Sequence, residues 1–151
     1  MDRPFHILLV EDDENDVLLL KRAFQKAGLR AAIQNVADGD AAVDYLRGSG
    51  RFTDRSEFPL PMLLLLDLKL PRLGGHEILR WLRAEPALKR LPVVVLTSSK
   101  ETRDVNLAYD LGANSYLIKP LLFDGLIGMM TQLERYWFHT NENPLIEEGR
   151  A

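Results

Sequence analysis

The chain has 151 residues, 46% of them hydrophobic and 27% charged, with a formal net charge of −3 and no cysteine. That composition fits one soluble globular domain. It excludes disulfides, thiolate metal sites and cysteine nucleophiles, and the absence of a basic stretch argues against nucleic acid as a direct partner. No apolar run approaches the roughly 18 residues of a membrane helix, and "MDRPFH" lacks the basic-then-apolar pattern of a signal peptide, so a cytoplasmic protein is expected.

Short apolar runs alternate with longer amphipathic ones. "HILLV" (His6 to Val10) reads as a buried strand ending in acids. "ENDVLLLKRAFQKAG" sets Val17, Leu20, Phe24 and Ala27 at helical spacing, with Gly28 as a stop. "AAIQNVA" is a weak second strand, and "DGDAAVDYLRG" a short helix with Asp40 as N-cap. "SGRFTDRSEFPLP" is a polar loop longer than most connections. "MLLLLD" is leucine-rich, which favours helix, but Pro59, Pro61 and Pro71 bracket it too tightly for one, so a strand is predicted.

"GHEILRWLRAE" is a third helix, with Ile78, Leu79 and Leu82 on one face. "LPVVVLT" is a strand with three consecutive valines. "TRDVNLAYDLG" is a fourth helix, "NSYLIKP" a fifth strand and "LFDGLIGMMTQLERYWF" a fifth helix, before a polar tail. Five strand–helix alternations predict an α/β fold, a doubly wound five-stranded parallel sheet with helices on both faces. The expected domain spans 1–140, with a tail over 141–151.

In such sheets, sites form beyond the C-terminal strand ends. Glu11, Asp12 and Asp13 follow the first strand, Asp67 the third, Thr97 and Ser98 the fourth, and Lys119 ends the fifth. In the flavodoxin-like order 2-1-3-4-5, the first and third strands are neighbours, and Asp12 and Asp67 face one crevice. Clustered carboxylates stay ionised only beside a cation, and hard oxygen ligands suit Mg²⁺. Lys119 supplies a compact positive charge for a phosphoryl oxygen, and the Thr97 hydroxyl donates to another. Asp67 is then the nucleophile that accepts a phosphoryl group. Taken singly, each residue has a plainer role. The acids after the first strand fit a helix N-terminus, Asp67 and Thr97 fit turns, and Lys119 fits an exposed surface. Their joint occurrence at four strand ends favours the site.

"ILLVEDDEND", "LLLLDLKLPRLGGHEIL", "LPVVVLTSS" and "LGANSYLIKP" together resemble the receiver domain of bacterial two-component response regulators, from about His6 to Phe138. The resemblance implies that Asp67 takes its phosphoryl group from a sensor histidine kinase. It implies that Asp12, Asp67 and the backbone carbonyl of Lys69 ligate Mg²⁺, with Glu11 acting mainly through water. Thr97 would be the switch hydroxyl, Tyr116 the aromatic that changes rotamer, and the Lys119–Pro120 bond cis. Glu11 stands where aspartate is commoner, Asp13 adds a charge, and Lys69 places a cation two residues past the acceptor, within reach of Glu11 or a phosphoryl oxygen. The long loop, "ANSYLIKP" and the helix ending in "YWF" also resemble single-domain regulators that partner bacterial phytochromes, so a bacteriophytochrome-type kinase is the expected donor.

The segment after Phe138 is too short for an output domain, so output would be a changed surface on the fourth helix, fifth strand and fifth helix. On the fifth helix, Leu122, Leu126, Met129, Leu133 and Trp137 form a core-like stripe, and Phe123, Ile127 and Met130 widen it. Either a second copy packs on that extension as a homodimer, or the tail folds back through Leu145 and Ile146 to cover it. His6, His76 and His139 show no ligand spacing. A phosphorelay shuttle or phosphate sink is an alternative role. An aspartate-nucleophile phosphatase would want its aspartate after the first strand, with a second aspartate two residues on; here Lys69 stands at that place. A flavodoxin would want hydroxyls, not acids, after the first strand.

Overall fold

In a computed structural model of the chain, the structure describes residues Phe5 to Ile146. Five parallel strands run in the order β2-β1-β3-β4-β5: β1 Phe5–Val10, β2 Ala31–Val36, β3 Leu63–Leu66, β4 Val93–Thr97 and β5 Ser115–Ile118. The helices are α1 Glu14–Lys26, α2 Gly39–Arg47, α3 Gly75–Ala84, α4 Thr102–Asp110 and α5 Phe123–Glu134. Among the described residues, no helix is long and apolar enough to cross a membrane.

Strand alternation divides the core into two layers. Leu8, Val10, Leu64, Leu66, Val93 and Val95 point to α2, α3 and α4. Ile7, Leu9, Leu63, Leu65, Val94 and Leu96 point to α1 and α5. All four residues of β3 are buried, which is why a leucine run, helical by propensity, forms the central strand. Both of its faces bury apolar surface, and that outweighs local preference.

The α1 cap is Asp13, whose Oδ1 accepts from the N–H groups of Asn15 (2.8 Å) and Asp16 (3.1 Å). The α2 cap is Asp38, not Asp40: Asp38 is extended and accepts from the Ala41 N–H at 2.8 Å. Asp40 already lies inside the first turn. The long loop is firmly held. The Arg55 guanidinium donates to the carbonyls of Tyr45 (2.7 Å), Leu46 (3.0 Å) and Phe58 (3.2 Å), and Phe52 and Phe58 pack on the Tyr45 ring.

Helix α5 departs from expectation. Met130 is fully buried with Leu133 against α1, and Phe123 and Ile127 are half-buried in the same cluster. Met130 therefore offers nothing to a second copy, and Leu122, assigned to the core stripe, is 75% exposed. Leu122 is the extended N-cap of α5 and falls outside the stripe; Leu126, Met129, Leu133 and Trp137 pack inward as expected, and Phe123, Ile127 and Met130 join them in the same cluster. The helix continues as a π-helical turn, Arg135–Thr140, where Phe138 stacks on Phe5 at 4.4 Å between centroids. The tail then passes the N-terminal ends of β4 and β5. Ile146 packs on the α3/α4 layer and Leu145 stays exposed, so the described part of the tail leaves Phe123 and Ile127 uncovered. Residues 147–151 of the expected tail lie outside the described residues.

Two substitutions on one helix test this assignment. Met130→Ala should cost about 2–5 kcal/mol of unfolding free energy, and Leu122→Ala about 0.5 kcal/mol or less. Urea denaturation measures both, and the reverse ranking would place α5 the other way round.

Candidate functional site

The ladder itself brings the predicted residues together. The Asp67 N–H bonds the Val10 carbonyl at 3.1 Å, which sets Asp67 beside Glu11. The Lys119 N–H bonds the Thr97 carbonyl at 2.8 Å. Carboxylate oxygens of Glu11, Asp12 and Asp67 all lie within 4.8 Å of one another, an arrangement able to hold a metal ion. Glu11 and Asp67 are buried, while Asp12 is exposed.

Close approach behind Asp67 needs a glycine. At Gly75, the first residue of α3, a Cβ would lie 2.5 Å from the Asp67 carbonyl oxygen and 2.7 Å from the Leu68 Cα. The Gly75 N–H bonds the Leu68 carbonyl at 3.1 Å. Helix α3 thereby fixes the backbone at the C-terminal end of β3.

Lys119 Nζ bonds Glu11 and lies 2.9 Å from Asp16 Oδ2 and 3.2 Å from Asp67 Oδ2. Burial alone would lower the lysine pKa. The hydrogen bonds to Glu11 and Asp16 and the Asp67 charge outweigh it and hold the ammonium charged. Glu11 is pushed up to about 7, chiefly by burial; the Lys119 hydrogen bond opposes the rise and the Asp67 charge adds to it. One ammonium does not neutralise this crowd, and the remaining negative charge suits a divalent cation.

Thr97 is wholly buried, and its Oγ1 has no hydrogen-bond partner among the described residues. A buried hydroxyl without a partner is costly, and an incoming oxygen would satisfy it. Lys69 is exposed; its N–H donates to Asp67 Oδ1 at 3.2 Å, and Glu11 pairs with Lys119 rather than with Lys69. Tyr116 is half-buried, and its hydroxyl donates to the Ser99 carbonyl at 2.9 Å. Its pKa is raised, first by burial, against the Ser99 hydrogen bond and with help from the Asp104 and Asp67 charges. Ser99 Oγ in turn donates to Asp104 Oδ2 at 2.5 Å. Among the described residues no peptide bond is cis, so Lys119–Pro120 is trans, contrary to the expectation. The trans form is the one X-Pro bonds favour, by about 0.5–1 kcal/mol.

Sequence reasoning missed Asp16 and the Ser99–Asp104 pair. Asp16 lies one helical turn after Asp12, and that spacing was the available signal. Nothing local marks Ser99 and Asp104, because the bond depends on how α4 leaves β4.

The family model for the response regulator receiver domain matches residues 7–131, and the chain belongs to that family. A probable methanogenesis regulatory protein, FilR2 of Methanothrix harundinacea, is 43% identical over 93% of this chain and 88% of its own. Response regulator Rcp1 of Synechocystis is 37% identical over 91% of each chain. The Mn²⁺-bound crystal structure of Rcp1 aligns with a TM-score of 0.83, over 94% of this chain and 100% of that one. The phosphorylated cyanobacterial phytochrome response regulator RcpA aligns with a TM-score of 0.87 at 34% identity, over 95% of this chain and 100% of its own.

The pH dependence follows from Glu11. With no metal bound, its pKa is raised from 4.5 to about 7. That contribution to stability is fully present below 4.5 and is lost as the pH rises through about 7. Lys119, raised from 10.5, contributes evenly across this window. Metal-free protein should therefore lose stability across it, and Glu11→Gln should flatten the loss. Urea midpoints on either side of the window, with chelator present, check this; equal slopes in both proteins would contradict it.

Proposed function

We propose that Asp67 is the phosphoacceptor and that its donor is the phosphohistidine of a sensor histidine kinase. One observation carries the reading. The buried Asp67 carboxylate sits 3.2 Å from the Lys119 ammonium, within a cluster able to hold a cation, at the same sheet edge as a buried hydroxyl that lacks a partner. An Asp67 oxygen attacks phosphorus, the phosphorus–nitrogen bond breaks, and the imidazole departs with a proton. Lys119 and Thr97 donate to the phosphoryl oxygens. Glu11, Asp12, Asp67 and the backbone carbonyl of Lys69 would hold Mg²⁺, whose charge offsets that of the phosphoryl group.

The acyl phosphate adds nearly two negative charges and three acceptor oxygens. Thr97 is drawn to them, and Tyr116 exchanges its bond to Ser99 as the β4–α4 loop follows. The α4–β5–α5 surface is the output face in this reading. Leu107 and Tyr109 on α4 and Tyr136 beside β5 are exposed there, and they support a homodimer contact better than Phe123, Ile127 or Met130 do. Likeness to RcpA, a phytochrome response regulator, supports a phytochrome-type kinase as donor; the proposed setting is the cytoplasm. The protein is a catalyst only of its own phosphorylation and dephosphorylation.

Incubation with Mg²⁺ and acetyl phosphate, followed by intact mass, tests the acceptor. One added phosphoryl group on the wild type and none on Asp67→Asn is the expected result. An equal adduct on both proteins overturns the assignment, as does no adduct on a folded wild type that also fails to bind beryllofluoride. Repeated turnover of a phosphate ester would mark a phosphatase instead.

A further inference from the structure

Lys119 has three N–H donors and three carboxylate neighbours, Glu11, Asp16 and Asp67. Glu11 and Asp67 belong to the cluster able to hold a cation, and Asp16 does not. A cation and a phosphoryl group at this edge would engage Glu11 and Asp67. Asp16 is the neighbour left to keep its hold on the ammonium.

Asp16 is well placed to do so. It lies in the first turn of α1, with its N–H held by the Asp13 side chain at 3.1 Å. Leu20, Ala23 and Phe24 fasten that helix to the sheet. Beside the Lys119 stem is a cavity of about 70 Å³, lined by Leu9, Leu20, Leu96, Pro120, Leu126 and Asp16 among others. It gives an untethered lysine room to swing away from Asp67.

We propose that Asp16 is a positioning residue, which tethers the Lys119 ammonium over Asp67 through phosphoryl transfer. The inference rests on Asp67 being the acceptor. The Asp16 charge also repels an anionic donor, which works in the opposite direction. Its side chain is 39% exposed, however, so solvent screens that longer-range repulsion more than the direct 2.9 Å contact.

The test is the rate of phosphorylation by acetyl phosphate in the full chain, with far-UV circular dichroism and the urea midpoint as controls for folding. Asp16→Ala removes charge and acceptor together and should slow the reaction about tenfold, the loss of one hydrogen bond to a charged group. Asp16→Asn keeps an acceptor and should lose less. In a Lys119→Ala background, Asp16→Ala should change nothing further. A rate in Asp16→Ala equal to or above wild type overturns the proposal. A tenfold loss that persists without Lys119 also overturns it, because the effect would not pass through the lysine. Wild type that takes no phosphoryl group and binds no beryllofluoride removes the acceptor reading, and this inference with it.

Discussion

The Lys119 ammonium meets Glu11, Asp16 and Asp67 at once, and the rest of the edge is arranged around that contact. Two of these carboxylates are buried, and a buried carboxylate without a partner is among the most expensive groups a fold carries. A single lysine offsets part of that charge. What is left over, with exposed Asp12 alongside, is a cluster of carboxylates able to hold a divalent cation. Burial, with the Asp67 charge adding to it, lifts Glu11 to about 7, while the carboxylates around Lys119 keep the ammonium charged.

The sheet makes this possible by rigid placement. Its two layers cover both faces of β1, β3 and β4, so the strand ends are held by buried apolar residues rather than by loops. The parallel ladder then sets Asp67 against Val10 and Lys119 against Thr97. Gly75 lets α3 close in behind Asp67 without a clash. From there a hydrogen-bonded path leads outward: Tyr116 to the Ser99 carbonyl, and Ser99 to Asp104 on α4. That path joins the strand ends to the face read as output.

Much of this was legible in the residues. Strand ends can be read because each apolar run stops abruptly at a charged or hydroxyl residue, and the parallel order puts those stops on one edge. Prolines settled "MLLLLD" against the helical preference of leucine. What was not legible depends on contacts distant in sequence. Asp16 reaches a lysine 103 residues away; its spacing one turn after Asp12 hints at the same edge but does not name the partner. Of the α5 stripe, Leu126, Met129, Leu133 and Trp137 were read correctly; periodicity alone does not choose between Leu122 and Met130, and the start of the helix at Phe123 does. Asp38 and Asp40 are both good caps on either side of Gly39, and only the backbone distinguishes them. The loop from Ser49 to Pro61 reads as polar, yet Arg55 finds three backbone carbonyls on α2 and within the loop itself.

In the proposed reading, these strand ends converge to make Asp67 the one carboxylate that takes the phosphoryl group. Borohydride reduction of protein treated with Mg²⁺ and acetyl phosphate, followed by peptide mass spectrometry, locates that residue, because an acyl phosphate is reduced to an alcohol at the residue that carried it. Homoserine at position 67 is expected, with Glu11, Asp12, Asp13 and Asp16 unmodified. Reduction at any of those four, with position 67 intact, would contradict that reading.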